Sequence, residues 1–176
     1  MGDKAKALSA SIGTLLRRIA PAGDVHVGVV SSSLGTFGGD VCPDSGATNQ
    51  LSHLNMVGPG GVPVANAAKG FLAYGGGGST DIDAFVADAE SLVKGVGEIG
   101  CGLEAQLESA YRFLVQPDPW QRITLNSQNQ AQFVGVDDTV LAQRKAFLRP
   151  DSLVATLGYV STMNTLANRL APRLTK

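Results

Sequence analysis

The 176-residue chain holds two histidines and two cysteines, so few positions can do acid–base, nucleophilic or metal chemistry. One group lies in the stretch GGDVCPDSGATNQLSH, where Asp40, Cys42, Asp44 and His53 offer carboxylate, thiolate and imidazole donors. That donor set suits a borderline divalent cation, zinc or manganese, able to activate water against an ester or phosphoester. The spacing matches no established metal motif, and the same residues equally describe a polar surface loop with Asx turns. A second group is GEIGCG at 97–102, ahead of an amphipathic stretch. A helix N-terminus there would stabilise the Cys101 thiolate and make it a candidate catalytic nucleophile. The alternative is that Cys101 packs the entrance of the helix and Glu98 is a solvated turn acid. His26, the other catalytic candidate, sits among valines, where a histidine is equally a satisfied core residue. Ser31, Ser32 and Ser33 end a strand-like run without the G-x-S-x-G elbow of a serine hydrolase. Asp81, Asp83 and Asp88 read as helix capping and a solvated face.

The elements that must position these groups follow from periodicity. Leu8, Ile12, Leu15, Leu16 and Ile19 at helical spacing predict a helix over 3–20, stopped by Pro21 and Gly23. DVHVGVV, dense in β-branched residues, predicts a buried strand over 25–32. Residues 34–70 carry turn residues without a sustained period, with room for a short edge strand near 62–65. KGFLAYGGGG predicts a second strand running into a glycine turn, and Ser79-Thr80-Asp81 caps a helix over 82–93. Leu103, Leu107, Ala110, Tyr111 and Leu114 form one apolar face, expected to be buried, of a helix ended by Pro117 and Pro119. ITLNSQNQAQFVG has strand-like ends around a polar middle, as a hairpin would. Asp137-Asp138 open a helix through Leu148, SLVATLGYV predicts a third strand, and 162–174 a closing helix. Strands alternating with helices argue for an α/β sandwich around a mainly parallel sheet.

Length and composition bound the function. The chain suits a single domain over 1–176 with 44% apolar residues, and a net charge of −1 with scattered Lys and Arg provides no footprint for nucleic acid. No apolar run spans a bilayer and the N-terminal stretch lacks signal-peptide character, so the chain as given reads as cytoplasmic. Cys42 and Cys101 match no CxxC or zinc-finger spacing; in a reducing compartment they are expected as free thiols.

Three blocks, DVHVGVVSSSLGTFGGDVC, GVGEIGCGLEAQLESAYRFLVQPDP and LAQRKAFLRPDSLVA, resemble in collinear order bacterial von Willebrand factor A-like domains of secreted or lipid-anchored proteins. The resemblance covers most of residues 1–155. It implies a Rossmann-like sandwich whose mainly parallel central sheet lacks its first strand, because the family begins with a strand ending in Asp-x-Ser-x-Ser and this chain opens at MGDKAKAL. It also implies loss of the adhesion-site magnesium: the family's threonine ligand falls on Ile99, and the aspartate expected after SLVA is absent from TLGYVSTMNT. A sheet without its central strand exposes backbone groups at about 1–3 kcal/mol each when buried unpaired. Direct pairing of 25–32 with 153–160, or a homodimer completing the sheet, would seal the gap. Two functions follow as expectations: a binding or interaction module derived from such a domain, or a small metal-activated or thiol-dependent hydrolase of esters or phosphoesters.

Overall fold

The structure, a computed structural model, describes residues 2–35, 50–98, 100 and 104–158. The chain is mixed α/β and forms two compact units. Unit 1 comprises Met1–Val29, Asn55–Glu98 and Val154–Lys176; unit 2 comprises Val30–Leu54 and Ile99–Leu153.

In unit 1, helix α1 (Gly2–Ile19) ends as expected, in a 3-10 turn over Ala20–Ala22 and a Gly23 with φ of 124°. Helix α2 (Ile82–Gly95) starts where the Asp81 carboxylate accepts from the Asp83 and Ala84 amides, at 2.9 and 3.1 Å. The apolar stripes of the two helices face each other: Ile12, Leu15 and Leu16 of α1 join Phe85, Val86, Ala89, Leu92 and Val93 of α2 in one core, with Val64, Ala67 and Leu72. Arg17 pairs with Asp83 at 2.6 Å and Asn66 donates to Asp88 at 2.7 Å, so the acidic residues of α2 serve its cap and its surface.

Strand β1 (Val25–Gly28) pairs with β2 (Phe71–Tyr74) in an antiparallel register from Val25–Tyr74 to Gly28–Phe71. The expected mainly parallel central sheet is not shown: the sheets among the described residues are antiparallel two-stranded ribbons. The excursion between β1 and β2 explains the direction. The Asn55 amide donates to the Val29 carbonyl at 2.8 Å and Val57 bridges Pro63, while the helical pieces Pro59–Gly61 and Ala65–Ala67 are single turns. The chain therefore returns to the end of β1 that it left, whereas a parallel neighbour needs a crossover to the other end. The edge strand expected near 62–65 is replaced by that bridge and turn. Residues 152–158 of the expected third strand have no ladder, and the closing helix at 162–174 lies outside the described residues.

The end of α2 makes one sharp packing statement. A Cβ on Gly95 would fall well inside contact distance of the Val57 carbonyl oxygen, with the Gly58 Cα 2.7 Å away. Both obstacles are backbone, so Gly95→Ala is expected to cost about 2–3 kcal/mol despite the better helix propensity of alanine. Urea unfolding followed by circular dichroism measures this, and a neutral or stabilising result would show that the excursion yields easily.

In unit 2, helix α3 (Gln106–Leu114) precedes the expected hairpin, β3 (Arg122–Leu125) and β4 (Ala131–Val134), antiparallel from Arg122–Val134 to Leu125–Ala131. Asn126 builds its turn, its Oδ1 accepting from the amides of Gln128 and Gln130 at 2.9 Å each. Helix α4 (Asp138–Phe147) follows, with Asp137 as its N-cap accepting from the Val140 amide at 3.2 Å.

Candidate functional site

Helix α3 lies opposite to the expectation from its apolar periodicity. Leu107, Tyr111 and Val115, one row at i, i+4 and i+8, are 85, 52 and 61% exposed. Its buried residues are Ser109, Arg112 and Phe113. Phe113 meets Phe147 of α4 edge-on, with ring centroids 5.7 Å apart. The Ser109 hydroxyl donates to the Ser31 carbonyl and lies 3.0 Å from the Ser52 hydroxyl.

Arg112 explains the rotation. It is 1% exposed, and its guanidinium lies 4.0 Å over the Trp120 ring. Its Nε donates to the Leu51 carbonyl at 2.9 Å, and its Nη2 to the Trp120 carbonyl at 2.6 Å and the Asp137 carboxylate at 3.0 Å. Nη1 is buried without a hydrogen-bond partner among the described residues. Burial pushes the guanidinium below its ordinary range, and the carboxylate of Asp137 pulls it back. Turning α3 to bury Leu107 would strip these bonds and leave the buried Asp137 carboxylate without its arginine, a loss of several kcal/mol against about 2 kcal/mol for hiding a leucine. The polar network therefore decides which face points out. Arg144 of α4 closes the far end of α3, donating to the carbonyls of Phe113, Arg112 and Gln116 at 2.6, 2.8 and 2.8 Å, and burial lowers its own proton affinity.

The network surfaces at His53. Its Nε2 lies 2.8 Å from Asp137 Oδ2, and its side chain is 40% exposed. Facing a carboxylate, Nε2 is the donor, so in the neutral ring Nδ1 carries the lone pair. The preceding Leu51 and Ser52 have φ of 49° and 60°, a left-handed pair without glycine held by the Arg112 and Ser109 bonds. An oriented imidazole of this kind can abstract a proton or ligate a metal, since both tasks use a carboxylate behind the ring.

Of the catalytic and metal-ligand candidates read from the sequence, His53 is the one that the described residues place in this network, beside Trp120 and the α4 cap Asp137. Asp40, Cys42, Asp44 and Cys101 lie outside the described residues, among which no cluster of three or more His, Cys, Asp or Glu could hold a metal. His26 stands on β1 in unit 1, its ring 4.5 Å from Phe71 and its Nε2 3.9 Å from Asp24, packed as a core histidine would be. Ser31 and Ser33 are buried, and Ser32 bonds Glu104. Trp120 is a buried core residue with Leu34 and Ile123, stacked on Phe133 at 5.2 Å. Sequence reasoning missed Arg112 as the organiser and Asp137 as the partner of His53. The available signal was an arginine and a serine three residues apart on one helix face, a pattern that a solvated face shares.

No helix among the described residues is long and apolar enough to cross a membrane. Comparison with family models, characterised proteins and solved structures finds no match to this chain.

Proposed function

We propose that the protein is an interaction module that docks a partner through the outward face of α3. The observation that carries this reading is the exposure of Leu107, Tyr111 and Val115 on a helix whose buried face holds Ser109 and Arg112. Contiguous apolar side chains left in water mark contact surfaces, and an aromatic at their centre supplies an anchor. The von Willebrand A-like reading enters this proposal only as a function class, that of adhesive modules.

Leu107→Asp separates a docking face from a core. Because the side chain is 85% exposed, the substitution is expected to change unfolding free energy by less than about 0.5 kcal/mol. A photo-reactive residue at Tyr111 should capture a discrete protein that excess unlabelled native chain displaces and the Leu107→Asp chain does not. A large drop in stability, or capture indifferent to Leu107, would overturn the proposal.

One observation favours a second reading as a hydrolase of esters or phosphoesters: the orientation of His53 by Asp137 leaves Nδ1 able to take a proton from attacking water. His53→Gln is then expected to reduce turnover of a chromogenic ester at least about 100-fold with the fold intact. Turnover that persists in this variant would remove His53 from the chemistry.

A further inference from the structure

Resting on the reading of α3 as a docking face, we infer that its partner is a basic amphipathic helix. The apolar row has a negative rim. Glu108 is exposed beside Leu107, and Asp118 is exposed just past the C-terminal end of the helix, while the carboxylate of Glu104, ahead of the helix, accepts from Ser32. Two arginines that pack against α3 turn their guanidinium groups inward: Arg112 to Leu51, Trp120 and Asp137, and Arg144 to the last carbonyls of α3. The surface therefore combines an apolar centre with a carboxylate border.

The matching partner follows from that combination. The row from Leu107 to Val115 rises about 12 Å along the helix, enough to seat two to three turns of a second helix by ridge-into-groove packing. Such a helix would place apolar anchors at i, i+4 and i+7 between Leu107, Tyr111 and Val115, and Lys or Arg on its flanks against Glu108 and Asp118. An arginine there can also lie over the half-exposed Tyr111 ring. A second copy of α3 fits worse. Antiparallel pairing about a two-fold axis brings Glu108 of one copy beside Asp118 and the negative end of the helix dipole of the other. Like charges then meet at both ends of the contact.

The test uses the full chain and three fluorescent helical peptides of about 20 residues. The peptides share one leucine row and carry Lys and Arg, Gln, or Glu on the flanks. Fluorescence anisotropy is expected to show tightest binding of the basic peptide, weakened severalfold between low and high salt. Glu108→Lys should weaken it about two- to fivefold, as loss of one exposed pair does, and Leu107→Asp should abolish it. Equal binding of the basic and neutral peptides, abolished for both by Leu107→Asp, would overturn the basic-partner inference and leave the docking face standing. Binding of the basic peptide that ignores Leu107→Asp, or of no peptide at all, would overturn both. Sedimentation showing a dimer of the native chain that Leu107→Asp dissociates would replace the basic helix by a second copy.

Discussion

Arg112→Met is expected to destabilise unit 2 by about 3–5 kcal/mol, the cost of stranding a buried carboxylate rather than of losing one contact. Methionine fills much of the volume over Trp120 but returns none of the bonds to Leu51, Trp120 and Asp137. Arg112→Lys should rescue little, because a point ammonium cannot reach the two carbonyls and the carboxylate together. Adding Asp137→Asn to Arg112→Met should recover about 1–3 kcal/mol: the amide can still cap α4 and needs no counter-charge. The chain has a single tryptophan, Trp120, so its fluorescence in urea follows unit 2 directly. A loss under about 1 kcal/mol, or a double variant no better than the single one, would mean that the pair is not what holds α3.

Phe85→Ala should cost unit 1 about 3–5 kcal/mol. Phe85 is fully enclosed between α1 and α2, and its ring lies 5.3 Å from that of Tyr74 on β2. The neighbouring core residues sit on two helices and a ribbon tied at several places, so the void cannot close by a small shift of one side chain. Amide hydrogen exchange of α1 and α2 reads this without relying on Trp120. Protection factors falling less than about tenfold would show that the helices collapse into the gap.

How far the fold could be read from the sequence depended on whether the deciding partner was local. Helix α2 was legible because its start is set by Asp81 two and three residues upstream of the amides it caps, and its stripe by its own period. Asp137 was legible as a cap of α4 for the same reason. The orientation of α3 was not. Leu107, Tyr111 and Leu114 make one row and Ser109, Arg112 and Gln116 another, and periodicity alone does not say which row meets the protein. The partners that decide, Leu51 and Asp137, are 61 and 25 residues away. His53 was picked out as a ligand by its residue type, but its bond to Asp137 spans 84 residues and left no local trace. Likewise, the β-branched composition of 25–30 identified β1, whereas its antiparallel direction was settled by how the excursion from 29 to 70 closes.

Among the described residues, the buried polar and charged side chains are concentrated in unit 2: Ser31, Ser33, Ser52, Ser109, Arg112 and Asp137, against Ser9 and Asn55 in unit 1. Hydrating polar surface lowers the heat capacity of the unfolded chain, while hydrating apolar surface raises it. Unit 1, whose core is leucine, valine and phenylalanine, is therefore expected to follow the steeper dome and to weaken more in the cold, and unit 2 the flatter one.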